Sequence, residues 1–451
     1  MLLMARYVIP ISSASIENGA VLVRDGEIVA VGSASKLKTK YPEDQVKDFG
    51  LAALMPGFID VHTHLEYSAM RGLINDAPFA AWKLQLTDKE ERFTPEDWDD
   101  SALLGGIEAV GCGITTIADI TGTGASFKAA QAIGLRGIFY REVGTMDRYE
   151  VGSELERAFS DIDDWRHKAT PLQNVGIAPK ALYTCHPKIF EGVANYAMNG
   201  TPVAMHLAGS REEYEFIRYG SSPFSVHQTE QERGYGIDVP PWLATGTSPV
   251  RYILNWGMFD VPQLLAVHCV QVDDEDIEIL ADHDVNIGMC PRCNALLGMG
   301  VAPLIKFRHA GITVGLGTDS PAATDYIDPF SEMRTGLQIQ RATQNRSNFL
   351  KANEMLDLAT MGSARALGME DQVGSLDVGK RADIIAVDLS HSNQAPTHDP
   401  GQAVLFTASP SSVMMTMVGG EILYYKGVHQ HKVDVERVLD RSEEMRIKLR
   451  M

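Results

Sequence analysis

Cysteine is scarce in this chain: five in 451 residues, an odd number. A disulfide framework is therefore not expected, and a reducing, cytoplasmic setting is. Positive charge is also short. The 40 lysines and arginines face 59 aspartates and glutamates, a formal net charge of -19. With no basic excess to neutralise phosphate, neither nucleic acid nor an anionic membrane is an expected partner. No apolar run approaches the roughly 18 residues of a membrane span. The opening MLLMARYVIP is too short an apolar run for a secretory signal and lacks a cleavage region. No GxGxxG or P-loop opens a helix to cradle phosphate. What remains is an ordinary globular composition, 45% hydrophobic and 22% charged, on a chain long enough for more than one structural unit.

Both ends read as β. Apolar runs at 21–23 and 28–31 flank an Asp25-Gly26 turn. Near the other end, 382–387 is a buried-strand run, and 412–418 and 422–425 flank Gly419-Gly420-Glu421 as a second hairpin. Segments 1–55 and 366–430 are expected to pair into one small β-sandwich. Between them strand and helix alternate. Short apolar runs stand at 58–61, 113–119, 137–140, 175–178, 203–206, 265–268, 285–288 and 313–316, most of them separated by helix-length stretches such as 95–110 and 273–283. Repeated βα units imply parallel strands, and eight of them predict a closed (β/α)8 TIM-like barrel over 56–365, in the α/β class. An open doubly wound sheet is the alternative. Segment 431–451 carries Val435, Val438, Leu439, Met445 and Leu449 at helical spacing and predicts a docking helix. The polar, proline-containing stretch 390–401 reads as loop.

Polar groups sit where these runs end. In PGFIDVHTHLE, His62 and His64 are one residue apart, so a strand directs both rings to one side. His206 ends VAMH, His268 ends LAVH and Asp319 follows VGLGT. Alone, each is more often a hydrogen-bonded strand-end or turn residue. In a barrel, however, strand C-termini converge on one face, which would bring all five together. Imidazole and carboxylate suit one divalent ion, Zn2+ first, with Fe2+ or Mn2+ as alternatives. Such an ion lets water lose a proton near neutral pH.

These motifs, with VHCVQVDDEDIEIL (267–280), CPRCNALLGMGVAPL (290–304), AGITVGLGTDS (310–320) and GSLDVGKRADIIAVD (374–388), resemble the amidohydrolase superfamily. The likeness is closest to its aminohydrolase and chlorohydrolase branch of adenosine, S-adenosylhomocysteine and aminodeoxyfutalosine deaminases, and runs from about Val21 to Gly427. The resemblance implies a metal held by His62, His64, His206 and Asp319. Asp319 then takes the water proton and His268 polarises the attacking or leaving group. It also implies a small-molecule substrate of purine nucleoside type, aminodeoxyfutalosine among the candidates, and allows a homodimer.

Three positions depart from that pattern. Gly209 stands where deaminases of the branch place a glutamate that protonates the ring nitrogen. Glu212 and Glu213 follow and read as a solvated helix start. Lys180 replaces a histidine, and Met289 stands where related chains often carry one. Lys180 opens three readings: a substrate-binding cation, a general acid of lowered pKa, or a carbamylated bridge between two metals with His206 and His268 on the second. The alternative activities are amide, cyclic-amide or carbon–halide hydrolysis, or a catalytically lapsed ligand-binding barrel. Glu66 and Glu142 are candidates to face the pocket or to form structural ion pairs, with Arg141 and Arg148 similarly open. Trp82 is expected as a wall or lid, and Ser320 as a substrate contact. The Cys290/Cys293 pair, a lone CxxC, reads as structural.

Overall fold

The computed structural model describes residues 1–227 and 243–450; of the expected C-terminal helix, Met451 lies outside them. Strands from both chain ends form one mixed sheet. These are β1 (Leu2–Val8), β2 (Ile16–Arg24), β3 (Glu27–Ser33), β4 (Val46–Asp48) and β5 (Ala52–Pro56), with β14 (Ile384–Asp388), β15 (Val413–Val418), β16 (Glu421–Tyr425) and β17 (Val428–His429). Their order is β17-β16-β15-β14-β5-β1-β2-β3, with β4 beside β1. Both expected hairpins form: Arg24 pairs with Glu27, and Val418 with Glu421. The two ends meet where β14 lies antiparallel to β5. Instead of two separate sheets, one continuous sheet folds over a shared core, in which Val21 and Val23 join Leu54, Ile384, Met415 and Met417.

The second sheet holds eight strands: β6 (Phe58–Thr63), β7 (Ile114–Thr121), β8 (Arg136–Val143), β9 (Gln173–Pro179), β10 (Val203–Leu207), β11 (Leu264–His268), β12 (Asn286–Met289) and β13 (Val314–Leu316). Each pairs parallel with the next. A parallel bridge between Thr63 and Asp319 draws the last strand's end to the first, nearly closing the barrel. Strands covered on both faces read as continuous apolar runs rather than alternating ones. Phe58–Thr63 and Ile114–Thr121 are accordingly buried at every residue.

The helix Pro95–Gly111 starts on a Thr94 capping box with proline in its first turn. Its buried Asp97 and Asp100 take the C-terminal helix Val435–Arg450 through Arg441, Lys448 and Arg437 at 2.6–3.0 Å. Val438, Met445 and Leu449 of that helix are buried, whereas Leu439 is exposed, so the docked face is narrower than the apolar spacing suggested. Part of the expected 390–401 loop begins a short helix, Pro400–Thr407, capped by Asp399. Among the described residues, no helix is long and apolar enough to cross a membrane.

Candidate active site

His62 and His206 are the last but one residues of β6 and β10, His268 ends β11, His64 follows β6 and Asp319 lies in the turn after β13. Donor atoms of His62, His64 and Asp319 all lie within 4.8 Å of one another, as do those of His62, His206 and His268. Backbone carbonyls orient two of the rings. His64 Nδ1 is 2.9 Å from Ile120 O, and His206 Nδ1 is 3.1 Å from Lys180 O. A proton on each Nδ1 donates to its carbonyl and leaves Nε2 with a bare lone pair. Those two Nε2 atoms face each other at 3.4 Å. His62 Nε2 is buried and has no hydrogen-bond partner. Burial lowers the pKa of His62, of His64 and of His206, the last to about 4, so the rings are neutral donors. Converging lone pairs and an orphaned buried nitrogen are costly unless a cation sits among them, and this donor set fits one divalent ion.

Asp319 completes the group. Its carboxylate oxygens stand 3.7 Å from His62 Nε2 and 3.7 Å from His268 Nε2. Burial pushes this carboxyl up, but His62, His268 and His64, with a hydrogen bond from the Cys293 thiol, outweigh burial and hold it below the usual range. His268 Nδ1 is 3.0 Å from Asn294 Oδ1. Three residues here sit in left-handed backbone: Ala208 at φ 50°, His268 at 77° and Asp319 at 61°. Such conformations cost about 1–3 kcal/mol each and persist where surrounding bonds overdetermine them. Asp319 N, for example, donates to His62 O at 2.9 Å.

A cavity of about 70 Å³ opens above these groups. Tyr67, Phe79, Trp82 and Tyr183 form an aromatic wall, with Lys180, Glu142 and Ser320 also at its surface. Lys83, Lys180, Tyr183 and Thr184 are shared with a second cavity of about 290 Å³, whose lining includes Thr87, Thr145, Asp147 and Glu150. Trp82 is a fixed wall rather than a lid, since it is buried and its indole N–H donates to Ala322 O at 3.2 Å. Lys180 Nζ lies 3.8 Å from Glu142, whose charge raises the lysine pKa above its ordinary value. That runs against a general acid of lowered pKa. Ser320 contributes its backbone N–H to Asp319 Oδ1 at 2.6 Å, while its hydroxyl caps the turn at Ala322.

Glu66 is a correction. It stands behind the cavity wall, buried, accepting from Thr121 and Thr123 hydroxyls at 2.7 Å and from Gly122 N at 2.8 Å. It buttresses the β7 end and is not among the residues lining the cavity. Arg141 pairs with Asp161 at 2.7 Å, and Arg148 bonds the Tyr149 hydroxyl. The CxxC pair belongs to the site: Cys293 lines the cavity, and Cys290 Sγ lies within 4.8 Å of donor atoms of His268 and Asp319. Glu213 is no solvated helix residue; it is 3% exposed and lines the cavity. Sequence reasoning also missed Asp60, Tyr67 and Tyr183. Asp60 had a visible signal, a lone carboxylate inside the apolar run FIDV. The tyrosines had none, because which loop aromatics reach the mouth is decided by packing.

The amidohydrolase family profile matches residues 53–423, and a profile for a bacterial imidazolonepropionase-like composite domain matches 19–43. A 5-methylthioadenosine/S-adenosylhomocysteine deaminase of Symbiobacterium thermophilum is 31% identical over 413 residues, covering 90% of this chain and 89% of that protein. The crystal structure of a Xanthomonas campestris adenosine deaminase with bound zinc superposes with a TM-score of 0.85 at 26% identity, covering 100% of this chain and 98% of that one. Helicobacter pylori aminofutalosine deaminase, in complex with methylthio-coformycin, shares the fold: TM-score 0.78, 20% identity, 94% of this chain and 100% of that one. The chain belongs to the amidohydrolase family. It is a hydrolase acting on carbon–nitrogen bonds other than peptide bonds.

Proposed function

We propose that the protein is a zinc-dependent aminohydrolase that deaminates a purine nucleoside-like compound. The reading rests above all on the orphaned His62 Nε2 among converging neutral imidazoles and the Asp319 carboxylate, at the floor of an aromatic-walled cavity. A bound divalent ion would supply Lewis acidity and an activated water at neutral pH. The chain's own groups do the rest. Asp319, anionic and unable to leave the site, accepts the water's proton and passes it to the departing amine. A proton on His268 Nδ1, donated to Asn294, leaves Nε2 as an acceptor that orients the attacking water beside Asp319. The aromatic wall suits a flat heterocycle, and the adjoining polar chamber suits a hydroxylated tail, as a nucleoside would carry. The similar relatives named for adenosine-type substrates support the same class.

His62, His64, His206 and Asp319 are the proposed ligands of a single ion, with His268 and Asp319 catalytic. A binuclear site with carbamylated Lys180 is disfavoured, because carbamylation needs a neutral amine and Glu142 beside it favours the charged one. Lys180 and Glu142 are instead proposed to meet the substrate's polar edge, beside Trp82 and Ser320.

The test is ammonia release by zinc-loaded protein from adenosine, 5′-methylthioadenosine, S-adenosylhomocysteine and aminodeoxyfutalosine. Turnover on at least one is expected, with a loss of about 100-fold or more in Asp319→Asn at unchanged zinc content. No release above the metal-free blank across the panel would reject the reading.

A further inference from the structure

Gly209, where the resemblance implies a ring-nitrogen acid, has no side chain, and a buried carboxyl, Glu213, accepts its N–H. The helix Arg211–Tyr219 starts immediately after, with Ser210 as its cap and Glu213 in its first turn. A glutamate there ordinarily reaches back to the cap residue's own N–H. Glu213 reaches further: its two oxygens accept from Ala208 N at 3.0 Å and Gly209 N at 2.9 Å. The left-handed backbone of Ala208, at φ 50°, belongs to the turn that presents these two N–H groups. The carboxyl thus sits beneath Gly209, at the surface of the cavity that also holds His268 and Asp319.

Among the described residues nothing basic pairs with it. Glu213 forms no ion pair there, and the cavity's two lysines are turned to other carboxylates, Lys180 to Glu142 and Lys83 to Glu90. Its charge acts on Tyr183, which lines the same cavity, and on the buried Cys269. Burial raises its pKa to about 7, so a substantial fraction carries a proton at neutrality.

Resting on the deaminase reading, we propose that Glu213 is the proton donor to the substrate's ring nitrogen, taking over the task of the side chain that Gly209 lacks. In this step the water oxygen bonds to the amino-bearing carbon and the C=N electron pair takes the proton of Glu213, forming N–H. Asp319 delivers one water proton to the amine, the carbon–nitrogen bond breaks and ammonia leaves. As the carbonyl forms, the remaining hydroxyl proton restores Glu213. Water is consumed, ammonia is released, and both carboxyls return to their starting states.

The experiment compares the native chain with Glu213→Gln, Gly209→Glu and the double variant, all zinc-loaded, on adenosine and 5′-methylthioadenosine. A Cβ at 209 would meet the movable end of Met299 at 3.1 Å and His268 Cδ2 at 3.2 Å, so a neighbour must give by a few tenths of an ångström, and zinc content and the fold of Gly209→Glu are checked first. Glu213→Gln should lower kcat about 100-fold at unchanged zinc content and abolish the fall in native kcat above about pH 7. The double variant should regain at least about tenfold, because the acid is restored from 209. Gly209→Glu alone should give no large gain. A rise of about 100-fold in Gly209→Glu alone would show that the native site has no donor, and would overturn the assignment. So would a Glu213→Gln variant with near-native kcat. If Glu213→Gln fails to fold or hold zinc, the Gly209→Glu result decides. Failure of all four proteins to release ammonia from these two substrates and from S-adenosylhomocysteine and aminodeoxyfutalosine as well would reject the deaminase reading itself and this assignment with it.

Discussion

Asp60 Oδ1 accepts the backbone N–H of Thr318 at 2.9 Å, and Oδ2 accepts its hydroxyl at 2.5 Å. Oδ1 also takes the N–H of His62 at 3.2 Å. One buried carboxyl therefore ties the first barrel strand to the turn carrying Asp319, and sets the distance between His62 and Asp319. Burial raises its pKa to about 7, while the bonds from Thr318 and His62 act the other way, in favour of the charged form. Asp60→Ala strands two buried N–H groups, at about 1–3 kcal/mol each. It should weaken zinc affinity about 10–100-fold, the usual effect of removing a group that positions ligands. Asp60→Asn should keep most of the affinity, since its oxygen serves the N–H groups and the Thr318 hydroxyl can turn to accept. Zinc titration against a competing chelator measures both.

The barrel and the end sheet are joined by a buried ion pair. Arg136, first residue of β8, holds Asp383, just before β14, through two bonds of 2.7 and 3.0 Å. Both side chains are at most 3% exposed. Removing one partner from such a pair costs about 3–5 kcal/mol, because the other charge remains buried. Arg136→Met should lose that much in urea unfolding and Asp383→Asn a similar amount. The double variant should be less than additive, since it leaves no lone charge.

The sequence revealed the parts of this molecule that repeat. Eight apolar runs and their intervening helices predicted the barrel because parallel strands covered on both faces carry a periodic signal. The histidines and Asp319 were legible because strand ends share one face of a barrel. Glu66 and Glu213 were misread for one reason. Each is a glutamate near the end of a strand, and only the packed backbone decides which turns inward. The three hydrogen-bonding partners of Glu66 come from one loop, Thr121 to Thr123, with no local sequence mark. Glu213 looked like a helix start and is one, but its side chain runs backward under Gly209.

Lys180 makes a prediction about metal count. A carboxylate 3.8 Å from the amine favours its protonated form, and carbon dioxide reacts only with the neutral one. Purified protein should hold about one zinc per chain, and adding bicarbonate during reconstitution should change neither metal content nor turnover. Two metals per chain with bicarbonate dependence would instead establish the bridged site.

Glu213 also leaves a mark on stability that does not depend on any substrate. Burial moves its carboxyl from the model-compound value of 4.5 to about 7 in the folded chain. Between those two values the native state holds a proton that the unfolded state has released. Stability is therefore fully present below about pH 4.5 and declines as pH rises toward 7, with a contribution of at most about 3 kcal/mol. In Glu213→Gln that contribution to the slope is absent. Its absolute stability is set separately, because the amide meets two N–H donors with one oxygen. Urea unfolding of native and variant chains at pH 5, 6, 7 and 8, with zinc held saturating, should give curves whose difference shifts in favour of the variant up to about pH 7 and then levels. A constant difference across that range would mean that Glu213 is already ionised at pH 5, and so holds no proton to give at neutrality.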